Sequence, residues 1–135
     1  MQERKIYTVI DTNVLVSAMI SHNENSPTVR ILRALTDGRI TPLYNYEILS
    51  EYAEVLNRSK FNLDSNEVVR ILQYIIDNGI EVECVKSKEV FSDESDAVFY
   101  EIALSKKDSF LVTGNLRHFP KKPFVVTPAE IINSL

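Results

Sequence analysis

A single cysteine, Cys84, is all the thiol chemistry in these 135 residues. No internal disulfide can form, so the expected setting is a reducing cytoplasm. Nothing beside Cys84 points to a thiol metal or catalytic site, and a buried or half-buried structural role is expected. Long apolar runs are missing too. Val14 to Ile20, broken by Ser17, falls far below the roughly 20 residues that span a bilayer, so no membrane partner is expected. Met1-Gln2-Glu3-Arg4-Lys5 leads directly into a strand-like run, without the apolar segment and small-residue site of a secretion signal. With three glycines and no repeat, low-complexity tract or linker, the expectation is one compact domain over residues 1–135. A basic surplus is also lacking: 15 Lys and Arg stand against 19 Asp and Glu, for a net charge of −4. Proteins that hold nucleic acid through phosphate contacts alone usually carry such a surplus. Either nucleic acid is not the substrate, or acidic residues are concentrated where cations will bind.

What is present alternates between strand and helix patterns. Ile6 to Ile10 is a short β-branched and aromatic run followed by Asp11 and Thr12, and Asn13 to Ser21 reads as a helix. Ser26-Pro27 opens a second helix through about Thr36, stopped by Asp37-Gly38. A strand at Ile40 to Leu43 precedes a helix from about Asn45 to Leu56. Asp64-Ser65-Asn66-Glu67 resembles a capping box opening a helix that closes at Asn78-Gly79, with Gly79 as a left-handed stop. Glu81 to Val85 is a third strand, and Ser92 or Asp93 caps an apolar helix to about Lys106. Ser109 to Thr113 and Phe124 to Val126 are the last strands. Thr127-Pro128-Ala129-Glu130 is a full capping box for a terminal helix. Apolar strands separated by helices indicate an α/β domain with a mainly parallel sheet. Ligands of such sheets bind beyond the carboxyl ends of the strands, which places Asp11 and the Thr113 to Asn115 turn at one site.

Five residues at four places carry candidate chemistry, each with a plainer alternative. Asp11 ends a buried strand, where a carboxylate must find a cation, hydrogen bonds or water, or it is a helix N-cap. In the Asn45 to Leu56 helix the apolar stripe is Ile48, Leu49, Tyr52, Val55 and Leu56. Glu51 lies roughly 100° from the stripe centre, against roughly 140° for Glu47 and 160° for Glu54. Glu51 is therefore the glutamate able to look into a cleft, or else a surface residue like the other two. Asp93 and Asp96 start an apolar helix, where the helix dipole alone would favour them. Asp96 also shares a face with Phe99, Tyr100 and Ala103, which turns it toward the body of the protein. Asn115 follows the fourth strand and is either a ligand or a turn residue. Carboxylates from separate segments can hold Mg²⁺ or Mn²⁺, hard ions that prefer oxygen and keep room for a phosphate. Such ions activate water and neutralise phosphate charge, which would explain nucleic-acid chemistry without a basic surplus.

At these residues the sequence resembles the PIN-domain family. Val9-Ile10-Asp11-Thr12-Asn13-Val14-Leu15 resembles its opening motif, and Ser17 fits the small polar residue that follows. Ile48-Leu49-Ser50-Glu51 resembles the second motif, Asp93-Glu94-Ser95-Asp96 the third, and Leu111-Val112-Thr113-Gly114-Asn115 with Arg117-His118-Phe119 the fourth. The resemblance runs from Ile6 to about Leu135 and is nearest to VapC-type toxins of toxin–antitoxin pairs. It implies a three-layer α/β/α fold, often dimeric, and a Mg²⁺- or Mn²⁺-dependent endoribonuclease. It also implies metal ligands at Asp11, Glu51 and Asp96, with Asp93 and Asn115 as further contributors. Asn115 departs from the aspartate of many members and leaves the metal count open between one and two. Thr113 would hydrogen-bond a ligand carboxylate or the phosphate. Arg117, Lys121 and Lys122 would bind RNA at the rim, although a solvated loop is the plainer reading of the two lysines. His118, beside Phe119, receives no catalytic assignment.

A haloacid-dehalogenase-type phosphatase needs an aspartate two positions after Asp11, where Asn13 stands. A receiver domain needs a lysine after a late strand, where Val125-Val126-Thr127-Pro128 has none. The rivals left are a non-catalytic PIN-fold module that binds protein or nucleic acid, and a DNA-directed nuclease, for which 135 residues leave little room to clamp a duplex.

Overall fold

Extended, β-branched residues at Ile6–Ile10 form β1, which becomes the centre of a five-stranded sheet in the computed structural model, described over residues 5–135. The other strands are β2 (Ile40–Tyr44), β3 (Ile80–Glu81), β4 (Ser109–Val112) and β5 (Val125–Val126). They run in the order β3-β2-β1-β4-β5, and every pairing is parallel. The chain leaves β1, builds outward through β2 and β3, then crosses back to place β4 on the other side of β1. The order therefore reverses between β1 and β4, the point beside which sheets of this kind take their ligands.

Helices flank the sheet and complete an α/β/α architecture: α1 (Thr12–Ile20), α2 (Pro27–Thr36), α3 (Tyr46–Leu56), α4 (Ser65–Asn78), α5 (Glu94–Leu104) and α6 (Pro128–Asn133). α2 and α4 lie against β2, while α5 lies against β1, β2 and β4. α3 contacts α1, α4 and α5, and α2 holds α6. Tyr52, Tyr100 and Phe99 are the largest side chains fully buried in the core. Among the described residues no helix is long and apolar enough to cross a membrane.

Caps explain several helix starts. Ser26 accepts the Val29 amide at 3.3 Å and Asn45 accepts that of Ile48 at 2.9 Å. Thr127 and Glu130 form a reciprocal capping box. Asp64 departs from the expected box: its carboxylate takes the Asn66 amide at 2.8 Å, one residue earlier than a capping box requires. Helix α5 stops at Leu104 rather than Lys106, because the Ser109 hydroxyl donates to the carbonyls of Ala103 at 2.9 Å and Lys106 at 2.7 Å.

Two further expectations are corrected. β3 covers Ile80–Glu81 rather than Glu81 to Val85. Its partner β2 ends at Tyr44, the Val82 amide donates to Tyr44 O at 2.8 Å as a last rung, and beyond it no neighbouring backbone continues the ladder. Gly79 is not left-handed; its φ is −96°. Its need for glycine is steric, since a Cβ there would lie 2.4 Å from Ile75 O and 2.6 Å from Pro42 O. The left-handed glycine is Gly38, at φ +81°.

These two causes separate in a mutation series. Gly79→Ala forces backbone apart and should cost about 2–3 kcal/mol. Gly38→Ala meets open space and should cost about 1 kcal/mol for its left-handed backbone. Gly114→Ala, with neither problem, should be neutral or stabilising. Urea unfolding checks the ranking, and equal losses at Gly38 and Gly79 would reject the steric account.

Candidate active site

Ile10 of β1 pairs with Val112 of β4, and the Asp11 amide extends the ladder by donating to Val112 O at 2.9 Å. That register brings the Asp11 carboxylate beneath Thr113, whose Oγ1 donates to Asp11 Oδ2 at 2.8 Å. Asp11 occupies the N-cap position of α1; its side chain makes no full capping hydrogen bond, although the Thr12 and Asn13 amides of the first turn still favour its charged form. Its one full side-chain hydrogen bond among the described residues is to Thr113, on a different element. Asp11 is only 6% exposed, and burial raises its pKa more than the Thr113 hydroxyl and the adjacent amides lower it.

Glu51 lies half-buried on the inner edge of α3 while Glu47 and Glu54 are exposed, as the helical wheel requires. The Thr12 hydroxyl donates to Glu51 Oε2. Burial raises the Glu51 pKa against that bond, and the charges of Asp11 and Asp93 push it further up. Asp96, in the first turn of α5, also turns inward, its side chain 16% exposed. Burial first, then the charges of Asp11 and Asp93, lift its pKa to about 6, with His118 opposing. Three carboxylates from three elements thus feel one another's charge.

The other expected residues surround this group. Asp93 caps α5 and is exposed, its carboxylate accepting the Ser95 amide at 3.0 Å and hydroxyl at 2.8 Å. Those bonds hold its pKa down. Thr113 is fully buried, and of its two expected partners it serves the carboxylate, while its Oγ1 accepts the Asn115 amide at 3.0 Å. Asn115 Nδ2 lies 3.0 Å from His118 Nε2, and His118 Nδ1 lies 3.5 Å from Asp96 Oδ2. Rather than packing beside Phe119, the imidazole is half-exposed and links Asn115 to Asp96. Arg117 and Lys121 are exposed, and Lys122 Nζ stands 3.9 Å from Glu89 Oε1.

Three participants escape sequence reasoning: Thr12, His118 and Tyr52. The Tyr52 side chain reads as one more apolar position, yet its hydroxyl donates to Ile10 O, next to Asp11. Its ring centroid lies 6.1 Å from that of Phe99 in α5. Burial, followed by the charges of Asp11 and Glu51, holds its pKa well above the ordinary phenol value, so the phenol remains a donor.

The donor chemistry fits a hard divalent cation: the buried atoms are carboxylate oxygens that repel one another, and no lysine or arginine ion pair neutralises them among the described residues. No group of three or more His, Cys, Asp or Glu side chains among those residues is already arranged to hold an ion. Two variants test the support. Tyr52→Phe should lower stability by about 1–2 kcal/mol by leaving Ile10 O without this donor, and Thr113→Val should lower Mn²⁺ affinity with little loss of fold. Calorimetric titration together with thermal melts checks both; unchanged Mn²⁺ affinity in Thr113→Val would show that the hydroxyl does not position Asp11.

No curated protein matches the sequence at a significant level. Residues 7–117, which hold every carboxylate just described, match the family profile of the PIN domain; β5, α6, Lys121 and Lys122 lie beyond the matched span. PIN domains are generally metal-dependent nucleases. With most of its length matched and the carboxylates gathered at the switch point of a parallel sheet, the chain belongs to the PIN-domain family.

Proposed function

We propose that this protein is a Mg²⁺- or Mn²⁺-dependent endoribonuclease acting in the cytoplasm as the toxin of a toxin–antitoxin pair. The observation that supports the chemistry is the convergence of Asp11, Glu51 and Asp96 from β1, α3 and α5 at one crevice, each with a raised pKa. Asp11, Glu51 and Asp96 would hold the cation, with Asp93 and Asn115 at its edge. Bound there, the ion supplies Lewis acidity, making a water more acidic and offsetting phosphate charge.

The chain's own residues supply position. Thr113 holds Asp11 and Thr12 holds Glu51, so two of the three carboxylates are fixed by hydroxyls on neighbouring segments. His118, exposed beside Asp96 and Asn115, meets an incoming phosphate at the mouth. Arg117, Lys121 and Lys122 hold phosphates flanking the scissile one. The choice of RNA over duplex DNA rests on the same motif resemblance as the toxin role. The toxin role, an antitoxin partner and a homodimer follow the VapC-type resemblance of the four motifs.

Purified protein should cut RNA with Mg²⁺ or Mn²⁺ and stop in excess EDTA. Asp11→Asn, Glu51→Gln and Asp96→Asn should each abolish most cleavage, and double mutants should be little worse than singles because the three act as a unit. Glu47→Gln should remain near wild type. Cleavage of DNA alone would favour the DNA-nuclease reading, and a melting temperature indifferent to millimolar Mn²⁺ would favour a non-catalytic module, since preferential binding to the native state must stabilise it. Neutralising Lys121 and Lys122 together should reduce the salt dependence of RNA binding by up to about two phosphate contacts while leaving metal affinity unchanged.

A further inference from the structure

At the other end of the sheet from Asp11, three arginines line one recess. Arg30 and Arg33 project from α2, Arg39 stands just before β2, and Ile132 and Leu135 supply the apolar side. The recess holds about 270 Å³, and among the described residues no acidic side chain lines it. Ile40, next to Arg39, pairs with Ile6 at the start of β1. Asp11 lies five residues further along, roughly 16 Å at strand rise, so this recess is separate from the carboxylate crevice.

Each arginine could have a plain explanation. Arg39 Nη2 lies 3.3 Å from Asp37 Oδ2 in an exposed pair, an arrangement that contributes little. Arg33, in the last turn of α2, is favoured by the helix dipole. Arg30 has neither: among the described residues it makes no ion pair and sits one turn from Arg33 on the same helix face, where like charges repel. In a chain of net charge −4, three cations line this hollow and, among the described residues, only Asp37 beside Arg39 opposes them, so positive potential concentrates where the overall balance opposes it.

We infer that this recess is an oxyanion site for a phosphate group. A carboxylate offers two oxygens, which one guanidinium fork satisfies. A phosphate offers oxygens to several forks at once, and Arg suits that geometry better than Lys. The site does not depend on the nuclease reading. The phosphate belongs either to a small phosphate compound or to an RNA end, and the test separates the two.

Isothermal titration of metal-stripped protein with inorganic phosphate and pyrophosphate, at ionic strength matched with chloride, provides one arm. A short RNA bearing a 5′-phosphate, compared with its 5′-hydroxyl twin, provides the other. In at least one arm the phosphate ligand should bind, with affinity falling about tenfold or more in Arg30→Gln/Arg33→Gln, as expected for lost charged hydrogen bonds. The charge-matched control Lys60→Gln/Lys107→Gln should leave it unchanged. Arg30→Lys/Arg33→Lys, which keeps charge and loses the fork, should also weaken binding. Response to phosphate or pyrophosphate alone assigns a small ligand, and discrimination between the RNA twins assigns an RNA end. No phosphate-specific binding in either arm, or binding lost equally in the lysine control, overturns the site.

Discussion

One buried phenol holds the candidate site together. The Tyr52 hydroxyl donates to Ile10 O, the residue before Asp11; its own backbone follows Glu51; and its ring lies against Phe99, three residues beyond Asp96. A single side chain thus touches or adjoins all three segments that carry the inward carboxylates. Rigid packing of this kind is what a repulsive cluster needs, because like charges brought into a half-buried crevice push their supports apart. The cost of holding Asp11, Glu51 and Asp96 near one another is offset by ordinary core burial around Tyr52, Phe99 and Tyr100.

The parallel sheet explains why the cluster forms where it does. Because β1 is central and the strand order reverses beside it, the residues after β1 and β4 face the same crevice, and the Asp11–Thr113 bond follows from the register. Charge is divided along the strands as well. Acidic side chains gather at the carboxyl ends, and the arginines lining the opposite recess gather at the amino ends. The net charge of −4 averages over both and describes neither.

Much of this arrangement was legible in the sequence, for identifiable reasons. Strand alternation and helix periodicity are local, so the order of elements and the inward turn of Glu51 could be read directly. Asp11 and Thr113 could be placed together by the rule for strand ends. Contacts that arise only when distant surfaces meet could not be read. Tyr52 has the periodicity of a core residue, and nothing local reveals that its hydroxyl reaches Ile10. His118 stands next to an apolar Phe119, but its ring partners come from Asn115 and from α5. The length of β3 was hidden because it is set by the end of β2, not by the β propensity of its own residues. Gly79 was correctly placed as a helix stop for the wrong reason: its neighbour Pro42 lies 37 positions away in sequence.

The Thr113–Asp11 hydrogen bond joins residues 102 apart in sequence. Closing so long a loop brings an entropic cost that only the assembled sheet can offset. The site therefore depends on β4 docking beside β1: with β4 undocked, Asp11 has neither its hydroxyl partner nor its neighbour across the switch point. Partly folded forms carry every carboxylate and yet no cluster. The site is thus a property of the assembled sheet and of no single segment.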